Sequence, residues 1–272
     1  MMKRLEQIEY LNGILLEEMP DWKRQAAAFP QDETARRRLL RSLMNVRPPM
    51  PLKPEFLDVQ DALLSAEREE RGVVDADALP AVAANPRLVL WQGDITRLKA
   101  DAIVNAANSA LLGCFAPCHD CIDNAIHSAA GLQLRDECSR LMQAQGYPEP
   151  TGQAKITAGY NLPARHAIHT VGPIVRGRVS PRDRSELASC YRACLALAAE
   201  RGLHSIVFCC ISTGEFHFPA REAAEIAVQS VTQFLQTESS IQRVIFNVFK
   251  DTDAGTYREL LGKNGAAECG AQ

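Results

Sequence analysis

The sequence predicts an α/β domain with a mainly parallel central sheet, preceded by a helical extension. Two observations predict the sheet. From Arg87 onward, short apolar segments alternate with helical patterns, the signature of strands joined by crossover helices. One segment, Ser205 to Ile211, is apolar throughout, as in a strand covered on both faces. A third observation predicts the extension: residues 1 to about 75 carry apolar positions mainly at helical spacing.

Taken in order, Leu5, Ile8, Leu11, Leu15 and Leu16 define a first helix. Residues Thr34 to Met44 form a second, capped at Asp32 or Thr34. Its Arg36, Arg37, Arg38 and Arg41 read as a solvated face in preference to an anion patch. Pro48, Pro49, Pro51 and Pro54 make a stiff link, and Phe56, Val59, Leu63 and Leu64 mark a third helix that ends at Arg71-Gly72. Residues 1–85 are thus expected to be a helical extension with little core of its own, and 86–272 the main domain. Leu88 to Trp91 reads as a short strand, and Ala102 to Asn108 as a strand running into a loop. Asn124 to Gln143 is helical with a break near Gly131. Ala154 to Thr157 and His166 to Val171 are strand-like. Ser185 to Arg201 is an amphipathic helix closed by Gly202, and Ala220 to Leu235 is helix. Val244 to Phe249 is a strand, Thr256 to Leu261 a last helix, and Gly262 to Gln272 a frayed tail. Ligands of such sheets gather where loops leave the carboxyl ends of strands. The loops at Gly93, Asn108, Ser212 and Asp251 are placed to converge there.

Composition narrows the partners. The chain has 272 residues, 46% hydrophobic and 23% charged, with a formal net charge of -3. That is ordinary for a globular protein, and no basic surplus points to a nucleic acid duplex. No apolar run approaches the ~20 residues of a membrane helix, and the charged start MMKRLEQIEY has no signal-peptide core. A cytoplasmic, membrane-free location is expected. Nine cysteines, an odd count with clustered spacing, fit reduced thiols better than a disulfide framework.

The chemistry concentrates in Cys114 to Cys121, which holds three thiols, Cys114, Cys118 and Cys121, and the imidazole of His119. Thiolate and imidazole are ligands that zinc prefers. Structural zinc sites usually close with two separated pairs, and no second pair is evident here. Three protein ligands and an open position, the arrangement of a catalytic zinc, are therefore expected. The alternative is a loop of buried cysteines beside an incidental histidine.

Asp123 directly follows this loop at the start of a helix. It is either a helix N-cap or a group that bonds a ligand or activates water beside the metal. Ser212, Thr213, Gly214, Glu215 and Phe216 lie between a strand and a helix. Successive backbone N–H groups in such a turn make an anion nest, and glycine permits close approach. A pyrophosphate fits there without a basic side chain. Phe216 or Phe218 covers a sugar or belongs to the core, and Phe249 stacks on a base or is likewise core. His127, His169, Cys190, Cys194, Cys209 and Cys210 read as structural, and Asn105 as a holder of loop backbone.

Several stretches together resemble a family. Gly93-Asp94-Ile95-Thr96, Ala102 to Asn108, Gly113-Cys114-Phe115 with Pro117, His119 and Cys121-Ile122-Asp123, and Ile211 to Phe216 with Phe218-Pro219 occur in the order of a macrodomain. Specifically, they resemble the microbial zinc-containing macrodomains. Thr151-Gly152, Ala154 to Thr157 and Ile168 to Pro173 agree as well. The resemblance covers about residues 85 to 262 and extends to the helical N-terminal segment. It implies a three-layer α/β/α fold with a mixed, mainly parallel sheet. It also implies Zn2+ held by Cys114, His119 and Cys121, with Cys118 a bystander. Asp94, with the Ile95 backbone, would take the adenine amino group, and Asn108 would orient the distal ribose. Ile122 and Asn124 would frame the ligand. The implied partners are ADP-ribose and mono-ADP-ribosylated protein. The implied reaction is zinc-dependent hydrolysis of the ADP-ribosyl–protein linkage, with Asn108 and Asp123 as its catalytic residues. A reader that binds without chemistry, or an O-acetyl-ADP-ribose deacetylase, would use the same pocket.

Overall fold

A computed structural model describes residues 2–238 and 240–267, the side chains of 263–267 excepted. Helix α1 (Arg4–Glu18) is followed by a 3-10 turn, Pro20–Trp22, and by α2 (Lys23–Ala26), α3 (Glu33–Val46) and α4 (Pro54–Arg71). Asp32 caps α3, its carboxylate accepting from the Ala35 N–H at 2.9 Å. Pro54 opens α4, and Gly72 closes it at φ 78°, a backbone that suits glycine. The extension has more core than its composition suggests. Ile8, Leu11, Leu15, Leu40, Leu43 and Leu63 are buried in a separate cluster that takes in Leu132 from the main domain. Burial of each such side chain contributes about 2 kcal/mol. The arginine face of α3 also differs from expectation. Arg36 pairs with Glu9 and Arg37 with Glu67, both at 2.6 Å.

Strands β1 (Val74–Asp75) and β2 (Ala81–Val82) follow, then β3 (Asn85–Gln92), a 3-10 turn Ile95–Arg97, β4 (Leu98–Lys99) and β5 (Ala102–Ala106). Next come α5 (Ile122–Ala130), α6 (Leu132–Gln145), β6 (Ala154–Ala158), β7 (His166–Thr170) and α7 (Pro181–Glu200). The chain continues through β8 (Ser205–Phe208), α8 (Ala220–Thr237), β9 (Arg243–Val248) and α9 (Asp251–Ala267). Helix α7 starts at Pro181, ahead of the expected Ser185, because Ser180 and Asp183 form a capping box. Gly131, at φ 95°, separates α5 from α6 at the expected break. Helix α9 starts at Asp251 and is longer at both ends than the expected Thr256 to Leu261. The tail expected to fray is helical as far as Ala267, and residues 268–272 lie outside the described residues.

The main sheet is seven-stranded, in the order β2-β3-β9-β8-β5-β7-β6. Edge strands β2 and β6 pair antiparallel and every other pair is parallel. Strands β1 and β4 make a separate parallel pair. The fold is therefore the expected mixed, mainly parallel α/β architecture. All four positions of β8 are buried, as its unbroken apolar run requires. Because β3, β9, β8 and β5 are adjacent and parallel, the segments leaving their carboxyl ends emerge along one edge of the sheet. No helix among the described residues is long and apolar enough to cross a membrane.

Candidate active site

The loop between β5 and α5 brings Cys114, His119 and Cys121 together. All three are half-buried, and one donor atom from each lies within 4.8 Å of the others. Cys118 stands apart. Its backbone is left-handed, at φ 51°, and its Sγ lies 3.2 Å from Ser42 Oγ on α3. Cys121 is the N-cap of α5, with its Sγ accepting from the Asn124 N–H at 3.4 Å. Asp123, a candidate for that cap, lies inside the helix. Burial pushes the Cys121 thiol up to about 12, and the facing Cys114 sulfur adds to the shift. A cation held between the two sulfurs would reverse this by stabilising both thiolates. Two sulfurs and an imidazole nitrogen in one partly exposed cluster fit a zinc ion with a position left open. The Cys121 N–H donates to His119 Nδ1 at 3.3 Å, and His119 Nε2 lies 3.7 Å from Glu215 Oε1 across the cleft.

Beneath the loop lies a buried polar network. Asp123 is 4% exposed, and burial raises its carboxyl to about 6 against the lowering effect of Asn105, Arg135 and Asn108. Asn105 Nδ2 donates to Asp123 Oδ1 at 2.8 Å, and Asn108 Nδ2 to Asp123 Oδ2 at 3.2 Å. Asn105 also reaches His169 Nδ1 at 3.1 Å, and His169 Nε2 meets Thr157 Oγ1 at 2.9 Å. His127 Nε2 lies 3.5 Å from Asp123 Oδ1. Burial holds the imidazoles of His127 and His169 below their ordinary range, so both are neutral. His127, Cys138 and His169 form a second close donor set. Burial keeps the Cys138 thiol protonated, however, and His169 is engaged at both nitrogens, so this set serves the network. Gly113, at φ 80°, lets the loop between β5 and α5 pass close over the His127 ring: a Cβ there would stand 2.8 Å from the ring Cγ.

Asn108 is half-buried above Asp123. Its amide also donates to Gly113 O at 3.0 Å, and its Oδ1 accepts from the Ala110 N–H at 3.0 Å. Both amide hydrogens are thereby used, and one Oδ1 lone pair remains to accept from a hydroxyl. Asn124 is fully buried and sits inside the loop between β5 and α5, donating to Ala116 O at 3.0 Å and Cys114 O at 3.5 Å. Ile122 is half-buried beside it.

Asp94 and Ile95 follow β3. Asp94 Oδ1 accepts from the Thr96 N–H at 2.9 Å and from Thr96 Oγ1 at 2.7 Å, so the turn-capping role is real. Its Oδ2 stands 3.7 Å from Arg71 Nη1. Phe249 follows β9 and is 76% exposed, which excludes a core role. The two positions adjoin, since the Gly93 N–H donates to Val248 O at 2.9 Å and Asn247 Nδ2 to Gly93 O at 2.9 Å. After β8 the chain turns through Ser212 (φ 65°), Thr213, Gly214, Glu215 and Phe216, and the Phe218 N–H closes the loop onto Ser212 O at 2.9 Å. Ser212 Oγ is buried with no hydrogen-bond partner among the described residues. Phe218 is core, whereas Phe216 is only partly buried.

Some contributors are invisible in the motif pattern. Arg41 of α3 donates to Asn124 Oδ1 at 2.8 Å and to His119 O at 3.1 Å, which overturns its reading as part of a solvated face. Asn45 Oδ1 accepts from the Cys118 N–H at 2.9 Å. Arg135 of α6 is buried, donates to Leu112 O, Met44 O and Arg47 O, and lies 4.5 Å from the Phe115 ring centroid. A signal exists for the first pair: Arg38, Arg41, Ser42 and Asn45 recur at helical spacing as a polar stripe.

A mixed, mainly parallel seven-stranded sheet flanked by helices is the architecture of a macrodomain. The Macro domain family pattern matches residues 104–227. The chain is 49% identical to a Treponema medium protein named protein-ADP-ribose hydrolase, over 95% of this chain and 98% of that one. A variant of the Oceanobacillus iheyensis macrodomain solved with ADPR is 40% identical, with a TM-score of 0.60, over 66% of this chain and 95% of that one. A Trypanosoma brucei macrodomain in complex with ADP-ribose is 31% identical, with a TM-score of 0.64, over 81% and 95%. The chain belongs to the macrodomain family.

Proposed function

We propose that this protein is a zinc-dependent hydrolase that removes ADP-ribose from mono-ADP-ribosylated protein side chains. The observation that carries the reading is the Cys114, His119 and Cys121 donor set, half-exposed beside Asn108 and above Asp123. The Treponema relative's name and the ADP-ribose bound by the trypanosome macrodomain support the substrate.

ADP-ribose would lie along the carboxyl edge of the sheet. Asp94 Oδ2, the oxygen not committed to the Thr96 turn, accepts from the adenine amino group, with the Ile95 backbone alongside and exposed Phe249 stacking on the ring. The 212 to 216 turn receives the pyrophosphate through backbone N–H groups, with Ser212 Oγ gaining the partner it lacks. Ile122 and Asn124 frame the distal ribose, and Asn108 Oδ1 accepts from one of its hydroxyls. Cys114, His119 and Cys121 would hold the ion, which supplies Lewis acidity at the anomeric end. Asp123 fixes the Asn108 amide and, ionised at neutral pH, takes the proton of the attacking water. Water adds to the anomeric carbon, the bond to the protein side chain breaks, and the leaving group carries off a proton. No step requires a membrane or a nucleic acid duplex, and a cytoplasmic setting would keep the thiols reduced.

The test is release of ADP-ribose from a mono-ADP-ribosylated protein, followed with and without a chelator. Cys121→Ala should reduce turnover at least 100-fold, the scale of losing a metal's charge stabilisation. Full turnover by the metal-free variant would refute the zinc assignment. Binding without product would mark a reader, and release of acetate alone from O-acetyl-ADP-ribose would mark a deacetylase.

A further inference from the structure

We propose that helix α3 of the N-terminal extension is a clamp for the metal loop, with Arg41 and Asn45 as positioning residues that set how tightly the ion is held. The proposal rests on the reading of Cys114, His119 and Cys121 as metal ligands. It assigns a role to a segment outside the residues matched by the family pattern, 104–227.

The loop has no helix or strand of its own between β5 and α5, so its shape depends on what grips its backbone. The grip on its middle comes from α3. Arg41 donates to the carbonyl of His119, itself a ligand, at 3.1 Å. The same guanidinium holds Asn124 Oδ1 through Nη2 at 2.8 Å and Nε at 3.3 Å. Asn124 in turn donates to Ala116 O and Cys114 O. One cation on α3 therefore orders the backbone at Cys114, Ala116 and His119. Asn45 adds a second hold. Its Oδ1 accepts from the Cys118 N–H where the backbone is left-handed, an unfavourable conformation for cysteine that needs compensation. Its Nδ2 donates to Ser128 Oγ on α5 at 3.0 Å, which fixes the amide's orientation. Arg135 joins the carboxyl end of α3 to the base of the loop by holding Met44 O, Arg47 O and Leu112 O together.

The acceptors on Arg41 are neutral, an amide oxygen and a carbonyl, whereas Arg36 and Arg37 on the same helix pair with Glu9 and Glu67. Arg41 is thus turned to the loop, whereas Arg36 and Arg37 are tied within the helical extension. Groups that orient metal ligands without touching the metal typically alter affinity 10- to 100-fold.

The experiment measures zinc stoichiometry and the rate of zinc loss to a chromophoric chelator in the full chain. Variants are Arg41→Ala, Arg41→Lys, Asn45→Ala and Arg37→Ala, each checked for folding by thermal unfolding. We expect about 10-fold or faster zinc loss for Arg41→Ala and Asn45→Ala. Arg41→Lys, which keeps the charge but not the fork, should fall between Arg41→Ala and wild type. Arg37→Ala, also on α3, breaks the ion pair with Glu67 of α4 and should release zinc at the wild-type rate. Excess zinc should restore ADP-ribose release by Arg41→Ala, as expected of a residue that acts through the ion's retention. Wild-type zinc retention in folded Arg41→Ala and Asn45→Ala would overturn the clamp. Equal loosening by Arg37→Ala would overturn it too, since helix stability would then be the cause. If Arg41→Ala does not fold, Arg41→Lys and Asn45→Ala decide by the same criterion. A wild-type chain that takes up no zinc removes the metal reading itself, an outcome distinct from failure of the clamp.

Discussion

At the scale of single residues, burial decides which polar groups act and in what form. His169 accepts from Asn105 at Nδ1 and has Nε2 against Thr157, so a second ring proton would face an amide that already donates. Burial lowers its imidazole from 6.5 to about 4. An unfolded chain therefore takes up this proton before the folded one does. The stabilising contribution is complete above about pH 6.5 and is lost as pH falls towards about 4, at up to about 1.4 kcal/mol per pH unit. His127, also held neutral by burial, adds to this slope, and Asp123, raised to about 6, opposes it below that pH. The His169 share is therefore read as the difference between wild type and His169→Gln in urea unfolding over that range, with a shallower slope expected for the variant. An unchanged slope would place the titration elsewhere. The identities of such residues are legible in sequence, but their pairing is not. Asn105 was readable as a structural residue, yet its bond to Asp123 arises because β5 runs beneath the first turn of α5.

At the scale of elements, local rules explain much of what forms. Asp32 caps α3, Ser180 opens α7, and Gly72 and Gly131 end α4 and α5, each from residue types that announce the boundary. Short strands such as β1 and β2 leave no mark in the sequence because two-residue pairings have no period to detect. The turn after β8 shows how one element constrains another. A Cβ on Gly172 would stand 2.0 Å from Ser212 Oγ and 2.9 Å from Ile211 Cγ2. Gly172→Ala should therefore displace the turn, destabilise the fold by about 1–3 kcal/mol, and weaken ADP-ribose binding measured by calorimetry. Wild-type affinity in that variant would show that the turn is not where the pyrophosphate sits.

At the scale of the whole molecule, the helical extension and the macrodomain share more than a covalent link. Leu132 belongs to the helical cluster, and α3 packs on α5. Leu40 is fully buried in that cluster, one residue before Arg41. Leu40→Ala should cost about 2–5 kcal/mol, read by denaturant unfolding. Loss of both units in one transition is the expected form, because α3 is anchored to the loop between β5 and α5 and to Arg135 as well as to α1. Separate transitions would show that the two units are only loosely coupled.

The order of the longer helices and strands, the sheet class and the thiol and imidazole donors of the loop after β5 were determined by sequence alone. Each depends on local periodicity, capping chemistry or ligand preference, which neighbouring residues carry among themselves. Tertiary structure decided the rest: that Asp123 lies under two asparagines, that Cys121 and not Asp123 caps α5, and that Arg41 reaches the His119 carbonyl. These contacts join residues far apart in the chain. Packing of the helical layer against the sheet domain creates them, and no local pattern encodes which polar group will meet which.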